Sequence, residues 1–203
     1  MTEVPAPEVV RRLDAPDADA LVDLVETFEE LQTVLRCCER LVAAVAEPEP
    51  DGVLVEAVWT MALASYARCF TAREGSVALG EGDLTASQPG RPADDVLEWH
   101  RVLLRLRDHH VDPARNPRER FTAGVAQGPD GRADGIAVTS ARQPLVDDLT
   151  VRQTGAIAYG LSALVDARIG ERQEELLARV RDLSPEELAG LDPLDLADPA
   201  TAS

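Results

Sequence analysis

The sequence predicts a mainly α fold, an up-and-down bundle of four to five helices with one β-hairpin inserted. Three observations predict it. Apolar residues recur at steps of three and four through most of the chain. The period shifts to two once, around a Gly128-Pro129-Asp130-Gly131 turn. Aromatic residues make up only 3% of the chain, so Ala, Val and Leu must fill the core. At ~100–200 residues per domain, 203 residues make one domain. Residues 17–191 are its expected extent, after a flexible 1–16 and before an acidic, disordered 192–203.

The first helix is expected from about Asp17 to Ala46. Leu21, Leu24, Phe28, Leu31, Leu35, Cys38, Leu41, Val42 and Val45 form its stripe, and Pro48, Pro50 and Gly52 end it. A second runs from about Val53 to Arg73, with Val55, Val58, Ala62, Ser65, Tyr66 and Cys69 inward and Gly75 as a cap. Residues 75–92 are rich in Gly and Pro and read as a long flexible loop. Asp94 is expected to cap a third helix, about Asp95 to His110, stopped by Pro113 and Pro117. The hairpin pairs about 120–126 with 134–140. A two-stranded hairpin alone is marginal in water, so it must lie on the bundle or pair with another chain. From Pro144 a long helix reaches about Asp182, opening with Gly155, Ala156, Ala158, Gly160 and Ala163. Ser184-Pro185-Glu186-Glu187 is a capping box for a short last helix.

Charge narrows the function classes. The chain carries 37 acidic residues against 20 basic ones, a net charge of −17. That excludes wholesale wrapping of nucleic acid and anchoring to an anionic membrane. The first residues have neither a basic n-region nor an apolar h-region, so no signal peptide is expected. The longest apolar stretch, Leu41 to Ala46, is far short of a membrane span. Cys37, Cys38 and Cys69 sit in helical patterns and form no Cys-x-x-Cys pair, which fits reduced thiols in a cytoplasmic protein. There is no phosphate-binding Gly-x-x-x-x-Gly-Lys loop, no His-Glu-x-x-His and no zinc spacing. No cofactor and no metal are expected.

The charge rule reverses once. His100, His109 and His110, the only three histidines, lie within eleven residues. Arg101, Arg105, Arg107, Arg115, Arg118 and Arg120 surround them, against Asp108, Asp112 and Glu119, a local charge of +3. Imidazoles titrate near neutrality and can move protons. His100, Leu103, Arg107 and His110 step by three, four and three, so a helix puts them on one face. They line a cleft, or they are structural. In the structural case Arg107 and Asp108 bridge the helix end, the C-terminal dipole favours His110, and His100 is a satisfied core residue.

The stretch His100-x-x-Leu-Leu-Arg-Leu-Arg-Asp-His-His-Val resembles the signature helix of HEPN-type domains, short helical bundles common in prokaryotic defence and toxin–antitoxin systems. Ser65-Tyr66-Ala67-Arg68-Cys69-Phe70, on the preceding helix, fits the same resemblance, which covers mainly residues 53–120. The resemblance implies a homodimer. In active members it also implies a metal-independent ribonuclease with the motif Arg, a polar residue, about four others, then His. Arg107 takes the arginine, Asp108 the polar position, and the histidine position falls on Pro113, which has no imidazole. His109 or His110 would have to substitute from a different angle. The expectation is therefore a non-catalytic HEPN-like module acting through protein or RNA contacts, with His100, Arg101, Arg105, His109 and Arg115 as binding residues. The alternative is an endoribonuclease using Arg107, Asp108 and His110. The hairpin and the small-residue helix both point to self-association.

Overall fold

The computed structural model describes residues 9–72, 78–114 and 116–194. The order is α1 (Pro16–Val45), α2 (Gly52–Arg68), α3 (Glu81–Ala86), α4 (Ala93–Val111), β1 (Glu119–Gln127), β2 (Ala133–Arg142), α5 (Asp148–Val180) and α6 (Pro185–Ala189). This is a helical bundle interrupted by one antiparallel hairpin. α1 lies against both α5 and α2, α4 packs on α2, and α3 bridges α4 and α5.

The α1 stripe buries Leu24, Leu31, Val34, Cys38 and Leu41. α5 answers with Val151, Thr154, Ile157, Ala158, Leu161 and Val165. Small residues set this approach: a Cβ on Gly155 would sit 3.5 Å from Cys38 Cβ. Ala158 is fully buried in the same core. Gly155, Ala158 and Gly160 of the small-residue run are thus used inside the chain, while Ala156 and Ala163 stay exposed.

Three local expectations are corrected. The stretch 75–92 is not one loop; beyond 73–77, which lie outside the described residues together with the expected cap Gly75, it carries α3. Leu84 is fully buried there, worth ~1.5–3 kcal/mol of apolar transfer. The Asp83 carboxylate accepts the Gly80 N–H at 2.8 Å and pairs with Arg168 of α5. The Gln88 amide donates to the Ala156 carbonyl at 3.1 Å. The glycines mark a cap at Gly80 and a left-handed turn at Gly90, φ +85°, within an ordered segment. Second, α4 has Pro92, not Asp94, at its N-cap, and Asp94 and Asp95 face the helix dipole from the first turn. Third, α5 starts at Asp148 because Asp147 caps it, accepting the Thr150 N–H at 2.8 Å; Pro144 lies in the connection before it.

The chain ends meet where they are described. The Arg12 N–H reaches Asp192 O at 2.7 Å and the Leu194 N–H reaches Val10 O at 2.8 Å. The Arg11 guanidinium donates to Leu191 O at 2.6 Å. Residues 10–12 and 192–194 are therefore tied together; residues 1–8 and the tail 195–203 lie outside the described residues. The capping box at Ser184 and Glu187 is formed.

The hairpin is slightly longer than its apolar pattern. Phe121 faces Ser140, Ala123 faces Val138 and Val125 faces Ile136, with an irregularity at Ala126/Gln127. Gly131, φ +79°, makes the turn that Pro129 and Asp130 prepare. Phe121, Val125, Ile136 and Val138 share one face and are between 56% and 76% exposed. The arm does not lie on the bundle.

Candidate functional site

α4 splits the histidine–arginine cluster between two places. Ten residues at 1.5 Å rise put His100 about 15 Å from His110 along the axis. His100 is buried. Its Nδ1 and the Tyr66 hydroxyl share a 2.9 Å hydrogen bond, and its ring lies 4.4 Å from the Phe70 ring centre. The hydroxyl donates when the neutral imidazole carries its proton on Nε2 and accepts when the proton is on Nδ1. Burial pushes its pKa down, offset in part by Glu81 and reinforced by Arg101. His100 is a core residue of the α2–α4 contact.

The second place is the end of α4. Arg107 is half-buried, and its Nε lies 2.7 Å from the Asp108 carboxylate, an ion pair not aligned as a hydrogen bond. The His109 and His110 rings meet edge to face, 5.9 Å between centres. His110 is half-buried with an Nδ1 that has no protein partner. Burial lowers its pKa most; Glu56 pulls it up, while His109 and Arg118 add to the lowering. Arg101 pairs with Glu81 at 3.6 Å, Arg105 is exposed, and Arg115 lies outside the described residues.

His110 lines an open cavity of about 590 Å³. Its walls are the start of α2, the end of α4, the hairpin root and the connection into α5. Val55, Trp59 and Leu106 supply apolar surface, and Leu145 and Val146 enter from the connection. The Arg118 guanidinium donates to Glu56 at 2.7 Å, which ties the hairpin root to α2. Arg142 and Glu119 pair at 3.3 Å across the first rung of the hairpin. Arg107 is not among the lining residues, although Leu106 beside it is. The cavity can hold a small, mostly apolar molecule, with one imidazole, two ion pairs and the helix-capping carboxylates of Asp51 and Asp147 at its edge.

Sequence reasoning put weight on His110 and missed Trp59, Glu56 and the 143–147 connection. One signal was available: Glu56 is the single acid in a predominantly apolar second helix. The three thiols are free, and burial pushes Cys38 and Cys69 up to about 12, so neither is a nucleophile at neutral pH. Among the described residues no group of three or more His, Cys, Asp or Glu is placed to hold a metal ion, and no helix is long and apolar enough to cross a membrane.

No family model, curated protein or solved structure matches this chain.

Proposed function

We propose that this is a non-catalytic, HEPN-like helical-bundle protein that acts through contacts with other macromolecules, as a cytoplasmic homodimer, in the defence or toxin–antitoxin setting its signature helix implies. One observation carries the reading: the chain builds an arm whose apolar face stays more than half exposed. Apolar surface held out in water on a marginal two-stranded element is a contact surface. Protein contact is favoured over RNA contact. Arg101, Arg107 and Arg118 each hold an acid, which leaves less of the cationic island for phosphates.

The alternative, a metal-independent endoribonuclease, is favoured by one feature: His110 lines a cavity and has a lowered pKa, although its unpartnered Nδ1 is itself buried. Pro113 in the histidine position and the engagement of Arg107 by its neighbour speak against it. Incubation of the purified protein with total RNA in EDTA separates the two. Intact RNA at high protein concentration is expected. Cleavage that disappears in both Arg107→Ala and His110→Ala would replace the contact reading with the nuclease.

A further inference from the structure

Among the described residues, two exposed apolar faces lie on neighbouring elements. One is the hairpin face of Phe121, Val125, Ile136 and Val138. The other is on α2, where Val53, Ala57 and Met61 follow one another at four-residue steps with Leu54 beside them. Val53, Leu54 and Met61 are between 51% and 75% exposed. α2 is apolar nearly all round, the pattern of a helix covered on every side, yet this side is bare.

We infer that each face is the partner of the other in a second copy of this chain: the hairpin arm of one copy lies along α2 of its partner, and the exchange is reciprocal. The inference rests on the contact reading above and names its partner.

The dimensions agree. Val53 to Met61 spans eight residues of helix, about 12 Å. Phe121 to Val125 spans four residues of strand, about 14 Å. Packing against a helix is also what a lone hairpin needs to become stable. The charges agree too. The hairpin, Glu119–Arg142, holds three acids and three arginines, and α2 holds only Glu56 and Arg68. Both faces are neutral in a chain of −17, so two copies meet there with the least repulsion. Seven large side chains at these exposures make on the order of 700 Å² of apolar surface per copy, close to the ~800 Å² per partner of a stable interface. The arm does not satisfy its own α2. Its root is pinned to the first turns of that helix by Arg118 and Glu56, and both faces stay exposed. A two-fold axis allows the exchange, because the same two patches then meet twice.

Sedimentation equilibrium of the full chain and two variants tests the exchange. Wild type is expected at twice 21.9 kDa. Ile136→Glu and Met61→Arg, both at exposed positions, are each expected to fall twofold to the single-chain mass, with unchanged far-UV circular dichroism. Mixing the two variants is expected to restore the doubled mass, because one contact is then native and the other pairs glutamate with arginine. Wild type at 21.9 kDa at high micromolar concentration overturns the inference. So does a Met61→Arg variant that stays dimeric, which would mean that hairpins pair with each other. A mixture that stays monomeric overturns it as well. A single-chain mass for wild type would also remove the homodimer from the contact reading, whereas a wild-type dimer that Met61→Arg leaves intact overturns the exchange alone.

Discussion

Gly160 is where the segment Glu81–Gln88 is seated on α5, and replacing it tests that packing. A Cβ at this position would collide with the Ser87 carbonyl oxygen and the Gln88 amide nitrogen, and would sit 3.2 Å from the Ser87 carbonyl carbon. Ser87 is backbone at the end of a short helix fixed by the buried Leu84 and the Asp83–Arg168 pair, so it has little room to yield. Overpacking of this kind costs ~1–3 kcal/mol. Displacing Gln88 also removes its bond to Ala156, about 1 kcal/mol more. Alanine returns ~1 kcal/mol through its helix propensity. Gly160→Ala should therefore lose about 1–3 kcal/mol net. Two glycines on the same helix are internal controls. Gly155→Ala meets Cys38 at an ordinary 3.5 Å and should be neutral to slightly stabilising. Gly170→Ala meets nothing within 4 Å and should gain ~0.5–1 kcal/mol. Urea unfolding reads all three, and with a slope of ~1–3 kcal/mol/M the Gly160→Ala midpoint should drop by roughly 1 M. A Gly160→Ala protein as stable as Gly170→Ala would refute the close seating of α3 on α5.

Further outcomes follow from the buried groups. Tyr66→Phe should cost ~1–3 kcal/mol, because the His100 Nδ1 loses its buried partner; a urea midpoint equal to wild type would remove that bond from the account. His100 and His110 both have folded pKa values below the ordinary 6.5. The unfolded chain therefore binds more protons as pH falls through and below 6.5, so stability should decline in that window and level off once the folded rings protonate. His100→Gln should flatten this decline, and an identical pH–stability curve for the variant would count against a buried neutral imidazole. Cys38 and Cys69 should stay silent to a thiol reagent at neutral pH in the native protein and react fully in urea. Stoichiometric labelling of both in the native state would contradict their burial.

Local spacing was enough to predict the helical bundle, the hairpin with its turn, and the capping box at Ser184, because each is set by residues within a few positions of one another. The stripe of α1 and the register around Gly131 needed no distant information. Segment 78–92 was misread for the opposite reason: its glycines are locally permissive, and only the buried Leu84 and the Arg168 and Ala156 partners on α5 make it ordered. The cluster on α4 shows the same division. Its composition and its common helical face were legible in the sequence. That His100 would turn to Tyr66 while His110 opens on a cavity was not, since α2 and the hairpin root arrive from far away in the chain. Gly155 and Gly160 permit a close approach whatever the neighbour is; the tertiary structure made that neighbour α1 and the α3 segment of the same chain. It left the hairpin and the outer face of α2 exposed because the apolar stripes of the helices already meet one another in the core.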